Sequence, residues 1–332
     1  MPLAPPSLTV LLPCHDEEHA IASVIEEYRG VFPDARILVV DNASSDRTAE
    51  IARSLGVEVI SEPRKGKARG VLTALPHVDT DLLLMADGDA SYPAEGGRLL
   101  VEHYVRTGAD MINGLRAPVQ GPGAVVFRPA HQAGTRAFEA AVRLLFRVRT
   151  RDVFSGLRLF SRRFYEHVPL LHDGFELEME LTVQAADKGF RSEEVPVPFR
   201  ARWEGTQSKL STVRDGFRIL RALLLFHRDY RPLQYFSVLA SGAFAAGITA
   251  GWFPVAEYFR TGQILRLPLA VLAASLVVVA VMTFFSGITL ESGLRANREL
   301  FQVNLRAADA ERIRAVRQAR TAGDSAPRLL RS

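Results

Sequence analysis

Three acidic clusters stand in the first ninety residues: Asp16-Glu17-Glu18, the run Asp41-Asn42-Ala43-Ser44-Ser45-Asp46, and Asp87-Gly88-Asp89. Each follows a short apolar run. A phosphate binder built on a glycine loop would show G-x-G-x-x-G or a P-loop after the first such run, and neither is there. Carboxylates at a nucleotide site must instead hydrogen-bond base or ribose, or hold a metal that in turn holds phosphates. Asp87 and Asp89, with only Gly88 between them, can both turn toward one hard cation. Mg²⁺ and Mn²⁺ prefer oxygen ligands and bridge protein carboxylates to substrate phosphates. An isolated Asp-x-Asp is a weak signal, because acidic turns after strands are common. Here it is third in a series, which favours a site.

The elements that must position these acids are legible in the apolar periodicity. Strand-like runs alternate with stretches of helical length: Leu8–Leu12 then Glu17–Tyr28, Ile37–Val40 then Arg47–Leu55, Val57–Ile60 then Lys67–Leu75, and Leu82–Ala86. This alternation predicts an α/β fold with a mostly parallel, Rossmann-like sheet. In such sheets ligands bind beyond the carboxyl ends of the strands, where the three acidic clusters fall.

The chain has 332 residues, 48% of them hydrophobic, a net charge of +4 and a single cysteine. One cysteine excludes an intrachain disulfide and a multi-cysteine metal site. The charge is uneven. Residues 295–332 hold nine arginines against Glu299, Asp309, Glu311 and Asp324, a surplus of five that leaves the first 294 residues at −1. No nucleic-acid partner is expected. Two 24-residue segments, Leu233–Ala256 and Leu267–Leu290, contain no ionisable side chain and are long enough to span a bilayer as helices. Small residues in the first, including Gly242, Gly247 and Gly251, suit helix packing in lipid and permit a homo-oligomer. The ten residues Glu257–Arg266 join the two segments as an antiparallel hairpin. Arg214, Arg218, Arg221, Arg228, Arg231, Arg295, Arg298 and Arg306 flank it on one side, against Arg260 and Arg266 in the connection. The positive-inside bias therefore predicts a two-pass membrane protein with its catalytic domain and both termini cytoplasmic, and no cleavable signal is expected ahead of the first strand. The expected divisions are a catalytic domain over 1–212, a basic interfacial helix over 213–230, the hairpin over 231–294 and a basic tail over 295–332. Arg136–Arg149, with Phe138, Ala141, Val142 and Leu145 at helical spacing, reads equally well as a core-facing helix and as a membrane-surface one. Val213–His227 reads as a membrane-surface helix because it leads into the first span. The tail reads as a helix from Ala307, then disorder from Thr321.

Several dispersed motifs resemble the family 2 glycosyltransferases of the GT-A fold, and within them the polyprenyl-phosphate sugar synthases such as dolichol-phosphate mannose or glucose synthase. The likeness runs over about residues 8–226. It is carried by Pro13…Glu17, with Asp16 at the family's Asn position; by Asp41-Asn42-Ser44-Asp46-Thr48; by Gly66-Lys67-Ala68-Arg69-Gly70; by Asp87-Gly88-Asp89; and by Asn113-Gly114-Leu115-Arg116. Most specific to the lipid-phosphate subgroup are Asp152-Val153-Phe154-Ser155-Gly156-Leu157-Arg158-Leu159-Phe160 and Arg202-Trp203-Glu204-Gly205-Thr206-Gln207-Ser208-Lys209-Leu210. A two-helix tail occurs in bacterial and archaeal members. Some members carry a glutamine two residues after the second metal aspartate; Ser91 stands there, so no third metal ligand is assigned.

The resemblance implies transfer of a sugar from a nucleoside-diphosphate sugar, UDP- or GDP-linked, to a polyprenyl phosphate. Asp87 and Asp89 would hold Mg²⁺ or Mn²⁺. Pro13, Glu17, Asp41, Asn42, Lys67, Asp87 and Gly88 would line the nucleotide-sugar side. Arg116, Arg136, Ser155, Arg202 and Lys209, the last one of only four lysines, would contact the acceptor phosphate. Asp89, Asp152, Arg116 and Lys209 form the expected catalytic set. Asp152 could orient an arginine, assist the metal or act as a base, and its role is open. Glu176, Glu178 and Glu180 lie where an enzyme with a hydroxyl acceptor would keep its base, although acids at the start of the helix Glu178–Lys188 have an ordinary electrostatic reason to be there. The rival readings are a family 2 enzyme with a hydroxyl acceptor, disfavoured by the absence of a Gln-x-x-Arg-Trp-like segment, and a non-catalytic membrane protein that binds nucleotide sugar.

Overall fold

The first apolar run forms β1 (Leu8–Cys14) and is buried along its whole length, as a central strand of a covered sheet must be. The computed structural model describes residues 6–118, 129–170, 177–200 and 212–321. Contacts divide the chain into one unit of Met1–Ser211 with Val303–Ser332, and a second of Thr212–Gln302.

In the first unit, β1 is followed by α1 (Ile21–Val31), β2 (Arg36–Asn42), α2 (Thr48–Ser54), β3 (Glu58–Glu62), α3 (Lys67–Ala74), β4 (Leu82–Met85) and α4 (Ala94–Thr107). Then come β5 (Met111–Pro118), α5 (Pro129–Phe146), β6 (Arg158–Ser161), the short α6 (Arg162–Tyr165), α7 (Leu177–Asp187) and β7 (Ser192–Phe199). The seven strands lie in the order β3-β2-β1-β4-β6-β5-β7. All run parallel except β6, which is antiparallel to both neighbours. The α/β alternation of the first ninety residues is as the periodicity predicts. Val10, Leu12, Val39, Leu82 and Leu84 of the central strands meet Ile21, Val24, Ile25 and Tyr28 of α1 in the core.

One boundary differs in an informative way. The spacing predicts α1 from Glu17, whereas the helix starts at Ile21. Residues 16–18 are diverted because their backbone N–H groups find side-chain acceptors at the β2–α2 junction: Asp16 donates to Ser44 Oγ at 3.1 Å, Glu17 to Thr48 Oγ1 at 2.8 Å and Glu18 to Asp46 Oδ2 at 3.0 Å. Local polar acceptors compete with helical bonding in this way.

The second unit contains α8 (Thr212–Tyr230), α9 (Pro232–Thr261) and α10, a helix of 55 residues (Leu267–Thr321) that leaves this unit after Gln302. Both α9 and α10 are long and apolar enough to cross a membrane. Ala240, Gly247 and Pro254 are the buried positions along the middle of α9, and Ala273, Ala280 and Gly287 recur on α10, each set at seven-residue spacing. A seven-residue repeat is the seam of two helices that wind around one another. Gly247 makes close approach possible, since a Cβ there would lie 3.0 Å from Val277 Cγ2. The connection is shorter than expected: α9 continues through Glu257 and Arg260 and stops where Gly262 takes the left-handed conformation, φ 70°. The tail helix is not a separate element but the end of α10, because no glycine or proline interrupts residues 294–321. Beyond Thr321 the chain lies outside the described residues.

Candidate active site

The carboxyl ends of β1, β2 and β4 bring the acidic clusters together. Cys14 pairs in register with Asp41 on the parallel β2, and Leu11 pairs with Met85 just ahead of Asp87. Pro13 is buried at the end of β1, Glu17 is half-buried, and Asp41 is buried with Oδ1 accepting the Ser44 N–H at 3.3 Å. A Cβ on Gly88 would stand 2.5 Å from Cys14 Sγ, so only glycine lets the loop after β4 settle onto β1. Burial, and then the charges of Glu17, Asp41, Asp87 and Asp89, push the Cys14 thiol well above its ordinary value. The floor of the site is strongly negative.

Asn42 has both ends of its amide engaged, Nδ2 donating to Arg64 O at 2.8 Å and Oδ1 accepting the Gly66 N–H at 2.7 Å. It thereby sets the loop that presents Lys67, the first residue of α3. The Lys67 ammonium lies between Asp87 Oδ1, at 2.5 Å, and Glu178 Oε1, at 2.6 Å. Burial opposes its charge, but the two carboxylates outweigh this and hold the ammonium above the usual lysine range. Asp89 is only 5% exposed, with Oδ1 accepting the Ser91 N–H.

Among the described residues no group of three or more His, Cys, Asp or Glu side chains converges as a metal site. Asp87 and Asp89 therefore offer two carboxylates on an electronegative floor. That donor set fits Mg²⁺ or Mn²⁺, which bind through one or two carboxylates and complete their coordination with water and phosphate oxygens.

Beside this acid floor lies the segment Asp152–Gly156. Asp152 grips Arg116, at the end of β5, with two parallel bonds: Nε to Oδ2 at 2.6 Å and Nη2 to Oδ1 at 2.8 Å. Burial works against the guanidinium charge, and the Asp152 bonds more than restore it, so Arg116 sits above its ordinary value. Its guanidinium carbon also lies 5.4 Å from the centre of the Phe199 ring. Of the three roles open for Asp152, this ion pair is the geometry expected of the first, a carboxylate that holds an arginine. Glu194 of β7 fastens the same segment, accepting from Thr150 Oγ1 at 2.5 Å and from the Arg151 N–H at 2.9 Å.

Ser155 is fully buried, its Oγ 3.3 Å from the Tyr92 hydroxyl, which in turn accepts the Gly156 N–H at 2.9 Å. Its side chain supports Tyr92 rather than standing open to a ligand. Arg136 stands on the exposed face of α5. Arg202, Lys209 and Glu176 lie outside the described residues, while Glu178 and Glu180 are buried in α7.

Sequence reasoning missed Gly156, Tyr92, Glu194 and Arg158. Arg158 is 0% exposed and donates to Val153 O, Ser155 O and Thr182 Oγ1 at 2.9–3.0 Å. Burial pulls its guanidinium below the usual arginine range, against the attraction of Glu178 and Asp152. Gly156 and Arg158 lie inside a quoted motif, so their positions were visible and their roles were not.

The mostly parallel seven-stranded sheet with its flanking helices is a GT-A-like fold. Residues 9–168 match the family model for glycosyl transferase family 2, an uncharacterized glycosyltransferase of Mycobacterium tuberculosis is 30% identical over 63% of this chain and 92% of its own length, and the chain belongs to that family. It is 29% identical to the glycosyltransferase AglJ of Haloferax volcanii over 296 residues, 89% of this chain and 96% of the other. A dolichyl-phosphate hexose transferase of the same organism is 28% identical over 65% of this chain and 92% of its own length. Among solved structures, glucosyl-3-phosphoglycerate synthase of Mycobacterium tuberculosis, in complex with Mn²⁺, UDP and glucosyl-3-phosphoglycerate, has the same fold. The TM-score is 0.54 at 22% identity, covering 68% of this chain and 80% of that one.

Proposed function

We propose that the protein transfers a hexose from UDP- or GDP-hexose to a polyprenyl phosphate at a membrane surface, with Mg²⁺ or Mn²⁺ bound by Asp87 and Asp89. The observation that carries this reading is a donor-type acid floor in direct contact with the segment that holds Arg116, in a chain that also contains two helices long enough to span a bilayer. The likeness to a dolichyl-phosphate hexose transferase supports the lipid acceptor, and the Mn²⁺ and UDP held by the structural neighbour support the donor and metal.

In this reading Glu17 and Asp41 bind the nucleoside, with Asn42 holding the loop around it. When bound, the metal neutralises charge on the diphosphate leaving group. Arg116, aimed by Asp152, binds the acceptor phosphate together with Lys209 and Arg202. A phosphate monoester with a second pKa near 6 is already largely dianionic at pH 7, so no general base is needed and positioning dominates. A phosphate oxygen attacks the anomeric carbon, the bond from that carbon to the diphosphate breaks, and the nucleoside diphosphate leaves with the electron pair. Attack from the opposite face inverts the anomeric configuration. Helices α9 and α10 anchor the enzyme, with the arginine-rich flanks placing the catalytic unit in the cytoplasm.

The test is to incubate membranes carrying the full chain with labelled UDP- and GDP-sugars, Mg²⁺ or Mn²⁺, and undecaprenyl or dolichyl phosphate. A metal-dependent lipid product labile to mild acid is expected. Labelling of hydroxyl acceptors alone would replace this reading with a different family 2 activity.

A further inference from the structure

The contact between Lys67 and Asp87 has a consequence for how the site fills. Asp87 is the carboxylate assigned to the metal, yet its Oδ1 carries the Lys67 ammonium at 2.5 Å. Its other oxygen is flanked by backbone, since a Cβ on Gly156 would lie 2.2 Å from Oδ2. A divalent ion arriving at Asp87 therefore meets a cation already in place, and two cations on one carboxylate repel each other. Glu178 offers the ammonium a second seat at 2.6 Å. Lys67 can thus release Asp87 without losing every partner.

We propose that Lys67 is a resident counter-cation that occupies Asp87 until a nucleoside diphosphate arrives, so that metal binding and donor binding are coupled through one ammonium group. The diphosphate brings negative charge that accommodates both cations at once. Without it, the metal must compete with Lys67. Such coupling is reciprocal: nucleotide tightens metal binding by the factor by which metal tightens nucleotide binding. The inference rests on the metal and donor assignment made above.

The experiment measures Mn²⁺ binding to the purified full chain in detergent by the paramagnetic resonance of free Mn²⁺, with and without UDP or GDP, and uses thermal melting to verify folding. Wild type should bind Mn²⁺ at least about fivefold more tightly when its nucleotide is present, the lower end of ordinary allosteric coupling. Lys67→Met should bind Mn²⁺ about tenfold more tightly than wild type in the absence of nucleotide, and nucleotide should add less than it does in wild type, because only the phosphate oxygens, and not relief from Lys67, then contribute to the coupling. Glu178→Gln leaves Asp87 as the only carboxylate seat for Lys67 among the described residues, so nucleotide-free Mn²⁺ binding should weaken. A folded Lys67→Met protein with wild-type Mn²⁺ affinity and wild-type nucleotide coupling overturns the proposal while leaving the metal assignment intact. Failure of wild type to bind Mn²⁺ with either nucleotide removes the metal assignment, and this inference with it.

Discussion

Gly156 presses against the carboxylate of Asp87, and a Cβ added at Gly156 would stand 2.2 Å from Asp87 Oδ2. The donor-side acid and the segment that carries Asp152 are therefore one packed unit, steadied by the Gly156 N–H bond to the Tyr92 hydroxyl. Gly156→Ala must push Asp87 aside. Displacements of about an ångström at a reacting centre lower turnover by about a hundredfold. That loss is expected with the melting temperature nearly unchanged, and sugar-transfer assays beside thermal melts check it.

Arg116 and Asp152 form a two-bond ion pair in which Asp152 is almost entirely enclosed, its side chain 7% exposed. Removing one partner of a buried pair leaves the other charge uncompensated and costs about 3 kcal/mol. Asp152→Ala should therefore destabilise the catalytic unit by about that amount, and Arg116→Ala with Asp152→Ala should be milder than the sum of the two single changes. Denaturant titration of the four proteins measures the coupling. A coupling near zero would mean the pair contributes nothing to stability.

Much of this site was legible in the sequence because its signals are local. Strand-end acids follow from a continuous apolar run and the next polar residues, and the Asp87-Gly88-Asp89 spacing needs no tertiary information. The contacts that organise the site are not local. Lys67 meets Glu178 from 111 positions away, and Arg158 carries no assigned role in the sequence until the folded chain shows it enclosed by the carbonyls of Val153 and Ser155. Ser155 illustrates the converse: its motif suggests a ligand contact, while packing turns its hydroxyl toward Tyr92. The later start of α1 has a related cause, since the hydroxyls of Ser44 and Thr48 that divert residues 16 and 17 belong to the turn after β2 and the first residue of α2.

Glu139, half-buried on α5, is pushed up to about 7 by burial and then by the charge of Asp152, with Arg116 and Arg143 pulling the other way. Its ordinary value is 4.5, so between those two pH values the folded state binds more protons than the unfolded chain. The stability this protonation supplies is fully present below pH 4.5 and is lost as the pH rises through 7. Thermal midpoints should thus fall across that window more steeply for wild type than for Glu139→Gln. Melting curves at about pH 5 and about pH 8 test this, and equal slopes for the two proteins would remove Glu139 as the titrating group.

Arg163 joins two acids that are far apart in the chain. Its Nη1 lies 3.1 Å from Asp110 Oδ1 and its Nε 3.1 Å from Asp309, on the last part of α10, where Leu305 is also buried. The two acids are not equivalent. Asp110 also accepts the Arg191 N–H at 2.9 Å and its side chain is 12% exposed, whereas that of Asp309 is 34% exposed. Asp110→Ala leaves the Arg191 N–H without its acceptor and the Arg163 guanidinium with Asp309 alone, a loss of about 1–3 kcal/mol. Asp309→Ala removes one half-exposed ion pair, worth up to about 1 kcal/mol. Deleting residues from Val303 onward should cost more than Asp309→Ala alone, because the buried Leu305 goes with it and removing a fully buried leucine side chain forfeits about 2 kcal/mol. Denaturant midpoints of the three variants in detergent order these effects. A truncated chain as stable as the wild type would show that the end of α10 contributes nothing to the catalytic unit.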